Sequence, residues 1–281
     1  MTTINSYCTL AEYKAYVTAR GQSVTTDTAD DAVVERLLKA ASRYLDDATG
    51  RFFYPYIQTR YFSLPEAEDV DGRTITMDED LLEVITLVNG DGTTIPPTEY
   101  TLRPRNNTPY LYLRLIDNST YVWTADSAGS TVDVIAVTGI WGFHNRYTKA
   151  WMLGSTANEA MDATEMGYDV TSGTLFLIGD LIRFDNELGY VSGVSSNTLT
   201  NTRGENGSTA ATHLTGINVN IWQFMDEVKT ATLETAMQAY KRRFGQSSSN
   251  IQTVTAAGVV LTPRDIPAMA VEFIRTFRKY L

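Results

Sequence analysis

At 281 residues the chain can hold one large domain or two smaller ones and can bury a sizeable core. A chain with a formal charge of −10 is not built to grip DNA, since duplex affinity comes mainly from Lys and Arg on phosphates. The lone cysteine, Cys8, excludes an intrachain disulfide, and no apolar run reaches membrane-span length. With no basic-then-apolar segment at the start either, synthesis in a cytoplasm and no membrane partner are expected.

The first helix is expected to start at Thr9, which makes a Thr-x-x-Glu capping box with Glu12, and to stop at Gly21. A second runs from about Thr28 to Gly50, with Asp30 and Asp31 suited to the positive end of its dipole. Val33, Val34, Leu37, Leu38, Ala41, Tyr44 and Leu45 form its apolar stripe, and Phe52 and Phe53 add bulk just past the glycine stop. From Thr59 the period becomes that of strands: "TRYFSL", "LLEVITLV", "EYTL", "YLYLRL" and "TVDVIAVTGIW", separated by turns such as "NGDG" and "PRNNTP". Both faces of "LLEVITLV" are apolar, so a strand covered on two sides is predicted.

After Ala150 a polar loop, "GSTANEAMDATEMGYD", leads into "GTLFLIGDLIRF", "LGYVSGV", "NTLTNT" and "GINVNIW", whose spacing suits a small antiparallel barrel or sandwich. A third long helix is expected from Asp226 to Phe244, with Leu233, Met237, Tyr240 and Phe244 as its stripe and Gly245 as its stop. The stretch "QSSSNIQTVTAAGVV" reads as a linker. In the final helix, Thr262 is the expected cap, Pro263 the first helical residue, and Pro267 is tolerated in the first turn. Ile266, Met269, Ala270, Phe273, Ile274, Phe277 and Tyr280 fall on one side of it and Arg264, Arg275, Arg278 and Lys279 roughly opposite. Such a helix suits packing on its own domain or docking on a partner; lying on a membrane is disfavoured by the acidic remainder of the chain.

Parts for enzyme chemistry are few. His144 and His213 are the only histidines, no His-x-x-His or Cys-x-x-Cys spacing exists, and no nucleophile elbow accompanies His144, so both read as structural. "GENGSTAATHLTG" lacks the Gly-Lys-Ser/Thr ending of a phosphate loop and reads as a tight turn. "AEDVDGRTITMD" has Asp69, Asp71 and Gly72 in calcium-loop spacing, but Ala67 occupies the first ligand position and Asp78 replaces the closing glutamate. An acidic surface loop is the better reading. No catalytic residue, metal or cofactor is expected.

A helix ending "AAS..LDD.TGRFF", then "T.RYFSLP", then strands ending "VIAVTGIWG" and a later helix "DEVKTATLETAMQAYKRRFG", resembles the head–tail connector family of tailed bacteriophages, the head-completion or adaptor proteins under the portal. "V.gv..NTLT" followed by "RG.NGSTAA.H" is similar to a small β module found in phage head and tail structural proteins, with Asn201 in place of a usual strand former. The resemblance implies an α+β fold: a connector core at 1–150, an inserted β domain at 151–225, a core helix at 226–245, and a linker with a docking helix at 246–281. It further implies a virion-neck location and a homo-oligomeric ring, expected to be a 12-mer, bound to the portal protein and to tail, stopper or neck proteins. Double-stranded DNA would pass along its axis without specific binding. In that family the C-terminal segment reaches the portal, a role carried here onto Ile266, Met269, Phe273, Arg275, Phe277 and Arg278. A tail or baseplate binding module and a tail-associated hydrolase are the alternatives.

Overall fold

The computed structural model describes residues 5–20, 28–65, 72–244, 253–254, 260–261 and 266–279. Helix α1 (Leu10–Ala19) starts at the expected capping box, in which the Glu12 N–H bonds the Thr9 hydroxyl and the Glu12 carboxylate accepts from the Thr9 N–H. Helix α2 (Asp31–Thr49) begins three residues later than Thr28, with Asp30 as its N-cap. It ends as expected at Gly50, whose φ of 69° lies in the left-handed region.

Five antiparallel strands, β1 (Tyr56–Phe62), β2 (Thr74–Val88), β3 (Tyr100–Arg103), β4 (Tyr110–Leu115) and β5 (Ile135–Trp141), form a sheet in the order β1-β5-β2-β4-β3. Strand β2 is the main departure from expectation, because it begins at Thr74 inside a stretch expected to be an acidic loop. Ile75 and Met77 point inward while Thr76 and Asp78 are exposed, an alternation of period two that the acids obscured. Farther along, Leu81 and Leu87 enter the core under the sheet, while Leu82 and Ile85 face a second cluster, so this strand is covered on both sides as predicted. Strand β5 starts at Ile135, four residues after Thr131.

A second sheet comprises β6 (Trp151–Thr156), β7 (Gly167–Asp169), β8 (Leu181–Phe184), β9 (Glu187–Ser195), β10 (Thr198–Thr202) and β11 (Asn218–Trp222), in the order β6-β11-β8-β9-β10-β7. Its outer strands meet through an Ala157–Val170 bridge and the Thr171 N–H to Thr156 carbonyl bond of 2.9 Å. The sheet thus curls into a small barrel around Tyr168, Phe176, Ile182, Phe184, Val191 and Leu199. The expected loop at 154–169 begins inside β6, and in "GTLFLIGDLIRF" only Leu181–Phe184 is strand. Asn201, the odd residue for a strand, is buried at a register shift between β10 and β9.

The barrel does not stand on a tether. Its first and last strands pair at Trp151–Trp222, so the chain leaves and rejoins the remainder of the fold at one place, closed by the Gln223 N–H on the Ala150 carbonyl (2.7 Å). Leu82 and Ile140 of the first sheet pack on Leu181, Leu188, Tyr190 and Trp222. Glu83 of β2 accepts both Arg183 guanidinium nitrogens, at 2.9 and 3.1 Å, and the Tyr147 hydroxyl. The Asn206 turn bonds Pro55 and Ile57 at the start of β1.

Helix α3 (Asp226–Phe244) follows, and Leu233, Met237 and Tyr240 of its expected stripe pack against α1 and α2, joined by Val228, Ala231 and Ala236. The short strands β12 (Thr253–Val254) and β13 (Val260–Leu261) pair with each other. Helix α4 (Ala268–Phe277) closes the described chain. Pro267 is its N-cap and not a first-turn residue, because its ring suits extended backbone immediately before a helix; Thr262 and Pro263 lie outside the described residues. The fold is α+β, with antiparallel sheets, an all-β module and a C-terminal helix.

Candidate functional site

The stretch at residues 49–53, where α2 stops, is where the chain's separate parts meet. Gly50 turns the backbone so that Arg51 and Phe53 face inward while Phe52 stays 39 % exposed. Arg51 forms an ion pair with Asp80 of β2, donates from Nε to the Phe277 carbonyl (2.8 Å), and lies 4.5 Å from the centre of the Phe143 ring. Asp80 is 1 % exposed, and burial raises its pKa despite the guanidinium beside it. The Lys279 N–H closes on the Thr49 carbonyl at 2.7 Å, and its ammonium reaches the Asp78 carbonyl and Glu79. Phe53 is ringed by Tyr7, Phe143, Phe273 and Phe277, with ring centres 5.1 to 6.2 Å away.

A second knot ties the N-terminal segment to the same place. The Tyr7 hydroxyl donates to Asp46 of α2 and accepts the Phe53 N–H at 3.0 Å. Arg43 pairs with Asp46 Oδ2 at 2.8 Å and donates to the Asn5 carbonyl at 2.9 Å. Burial outweighs the Arg43 charge and the Tyr7 hydroxyl and pushes the Asp46 carboxyl up to about 7.

A protein-family profile described as "Putative DnaT-like ssDNA binding protein" matches residues 1–80. No curated protein gives a significant match. The matched stretch takes in α1, α2, the 49–53 junction, β1 and the start of β2. It carries 14 Asp and Glu against 8 Lys and Arg, a net −6. Lys14, Arg20, Arg43, Arg51 and Arg60 among those cations are each engaged with a carboxylate.

The six C-terminal residues singled out for docking divide into two sets. Ile266, Phe273 and Phe277 pack into their own core with Tyr7, Leu45, Phe53, Met225, Val228 and Ala231. Met269, Arg275 and Arg278 are exposed, and Arg275 bonds Glu272 at 2.8 Å. Of the apolar face that periodicity predicts, Ile266, Ala270, Phe273, Ile274 and Phe277 are packed, Met269 is exposed and Tyr280 lies outside the described residues; only the tertiary structure reveals that Phe273 and Phe277 meet Phe53.

Both histidines act as fasteners. Nδ1 of His144 accepts the Arg146 N–H (3.0 Å), so the ring proton is on Nε2 and is donated to the Gln223 carbonyl (3.1 Å); burial lowers its pKa, favouring this neutral form. His213 lies 2.9 Å from Glu187, a carboxylate that also takes Arg203 Nη2 at 2.9 Å and the Ala211 N–H at 2.8 Å. Burial would raise the Glu187 pKa, but these donors outweigh it and hold the carboxyl below its ordinary range. In the calcium-like stretch, Ala67, Asp69 and Asp71 lie outside the described residues, while Asp78 sits on β2 and pairs with Arg60 at 2.6 Å. No cluster of three or more potential metal ligands occurs among the described residues, and none of their helices is long and apolar enough to cross a membrane.

Proposed function

We propose that this chain is a structural head–tail adaptor of a tailed bacteriophage, which assembles as a ring on the portal, extends the DNA channel and offers a platform to the tail. The observation carrying this reading is the way the barrel leaves and rejoins the fold at Trp151 and Trp222. With the barrel set aside, the end of β5 leads through residues 142–150 to Gln223 and on to α3, which packs on α2 and α4. That is the order of elements on which the resemblance rests: a helix ending Thr-Gly-Arg-Phe-Phe, strands ending in Gly-Ile-Trp-Gly, then a long helix. The net charge of −10 suits a passage through which DNA must slide without adhering. The exposed face of α4, with Met269, Val271 and Arg278, is the portion of that helix left to meet a portal or a neighbouring copy. The role is one of shape and contact, with both histidines used as internal struts.

The profile match at residues 1–80 favours a second reading, binding of single-stranded DNA by the N-terminal region. Its net −6 charge and its internally paired arginines weigh against that region as the phosphate-contacting surface. Sedimentation and negative-stain imaging of the purified chain, alone and mixed with its portal, test the adaptor proposal. Added rings on the portal axis are expected; a chain that stays separate from the portal overturns it.

A further inference from the structure

Most basic side chains of the described residues are engaged with carboxylates, from Lys14 with Asp31 to Lys279 with Glu79. Arg103, Arg105, Arg146 and Lys149 are among the cations without an acidic partner among the described residues, and all four are exposed. They come from two loops far apart in sequence, the β3–β4 turn and the connection leaving β5. The loops are fastened together: the Thr108 hydroxyl donates to the His144 carbonyl at 2.7 Å and accepts the Tyr147 N–H at 3.2 Å. Between them lies an open cleft of about 290 Å³ lined by Arg105, Arg146 and Lys149 together with Asn106, Asn107 and Asn145, and no carboxylate lines it.

We infer that this cleft is a nucleic-acid contact site that takes the phosphate backbone, and that it is the place where an otherwise acidic protein touches DNA. Within a screening length of roughly 8–10 Å at ordinary salt, local charge outweighs net charge, so a cation cluster free of acids attracts phosphates even on this chain. The amides of the three asparagines add neutral donors for phosphate oxygens. A single small anion would occupy only the cleft; two residues before Arg105, the exposed Arg103 ends β3 as the register partner of Tyr112. The Tyr112 side chain is 43 % exposed, which leaves a ring available beside a cation for a stacked base. Three cations and three amides around one cleft, with an exposed ring on the adjoining strand, match phosphates and bases better than an acidic peptide. The site lies outside the 1–80 match and does not depend on the adaptor reading, since it is tested without portal.

The test is fluorescence anisotropy of the full chain with labelled oligothymidylate, a labelled duplex of mixed sequence and labelled polyglutamate, each across a salt series. The variant Arg105→Ala/Arg146→Ala/Lys149→Ala is compared with Arg36→Ala/Lys39→Ala/Lys241→Ala, which removes equal charge elsewhere. The cleft variant is expected to bind DNA at least about tenfold more weakly and to lose about two units of the log–log salt slope, while the control changes little. Lys149→Glu alone should weaken binding in the same direction with an unchanged melting temperature. Preference for the single strand that falls with Tyr112→Ala supports base stacking, and equal affinity for both DNAs supports backbone contact alone. Absence of DNA binding by the unaltered chain, equal losses in the cleft and control variants, or polyglutamate binding as tight as DNA each overturns the inference.

Discussion

Replacing Arg51 with alanine probes the junction most directly. Arg51 neutralises Asp80, whose side chain is 2 % exposed, and it also holds the Phe277 carbonyl of α4. Breaking a buried pair by removing one partner costs about 3–5 kcal/mol, because the remaining charge is stranded. The lost bond to Phe277 alone would be about 1.5–3 kcal/mol, but it belongs to the same network, so the two do not simply add. A total of about 3–5 kcal/mol is expected, which at about 2–4 °C per kcal/mol lowers the melting temperature by about 6–20 °C. In the same variant, hydrogen exchange across Ala268–Phe277 should rise more than across Asp31–Thr49, since α4 loses a tether that α2 does not use. Adding Asp80→Asn should recover about 2 kcal/mol or more, because the stranded charge is gone. Calorimetric melts of both single variants and the double variant close the cycle. A loss below about 0.5 kcal/mol in Arg51→Ala, or strict additivity in the double variant, would refute the claim that this pair fastens α4.

Three further outcomes are expected. Gly142 has a φ of 129°, and a Cβ there would meet the Tyr54 carbonyl oxygen at 2.4 Å. Gly142→Ala should therefore cost at least about 2–3 kcal/mol in a urea melt, against about 1 kcal/mol for Gly92→Ala, which shares a positive φ but opens onto free space. Asp46 has a folded pKa of about 7, above its unfolded value, so its stabilising contribution is complete below about pH 4 and is lost as pH rises through 7. Across that window it lowers stability by about 1.4 kcal/mol per pH unit; Asp46→Asn should remove this slope, and a variant with the wild-type pH profile would contradict the assignment. Arg203→Met should strand Glu187, whose side chain is 1 % exposed, and raise hydrogen exchange across the barrel while leaving α2 protected; unchanged exchange in β9 would count against a structural role for this cluster.

Local rules written into single segments were legible without coordinates. The Thr9–Glu12 capping box, the glycine stop at Gly50, the start of α3 at Asp226 and the tight turn at Gly204 and Gly207 need only neighbouring residues, and sequence neighbours are also spatial neighbours there. The apolar stripe of α4 was equally plain, because a helical period can be counted. Which surface covers that stripe could not be counted. Phe53 meets Phe273, 220 positions further along the chain, and Arg51 meets Asp80 in a strand whose acids disguised its alternation. The seating of the barrel on β1, β2 and β5, and the gathering of Arg105, Arg146 and Lys149 around one cleft, likewise depend on strand order and loop closure. Contacts between distant segments arise from how sheets and helices stack in three dimensions. Periodicity specifies which face of an element is apolar, and only the assembled chain decides what that face meets.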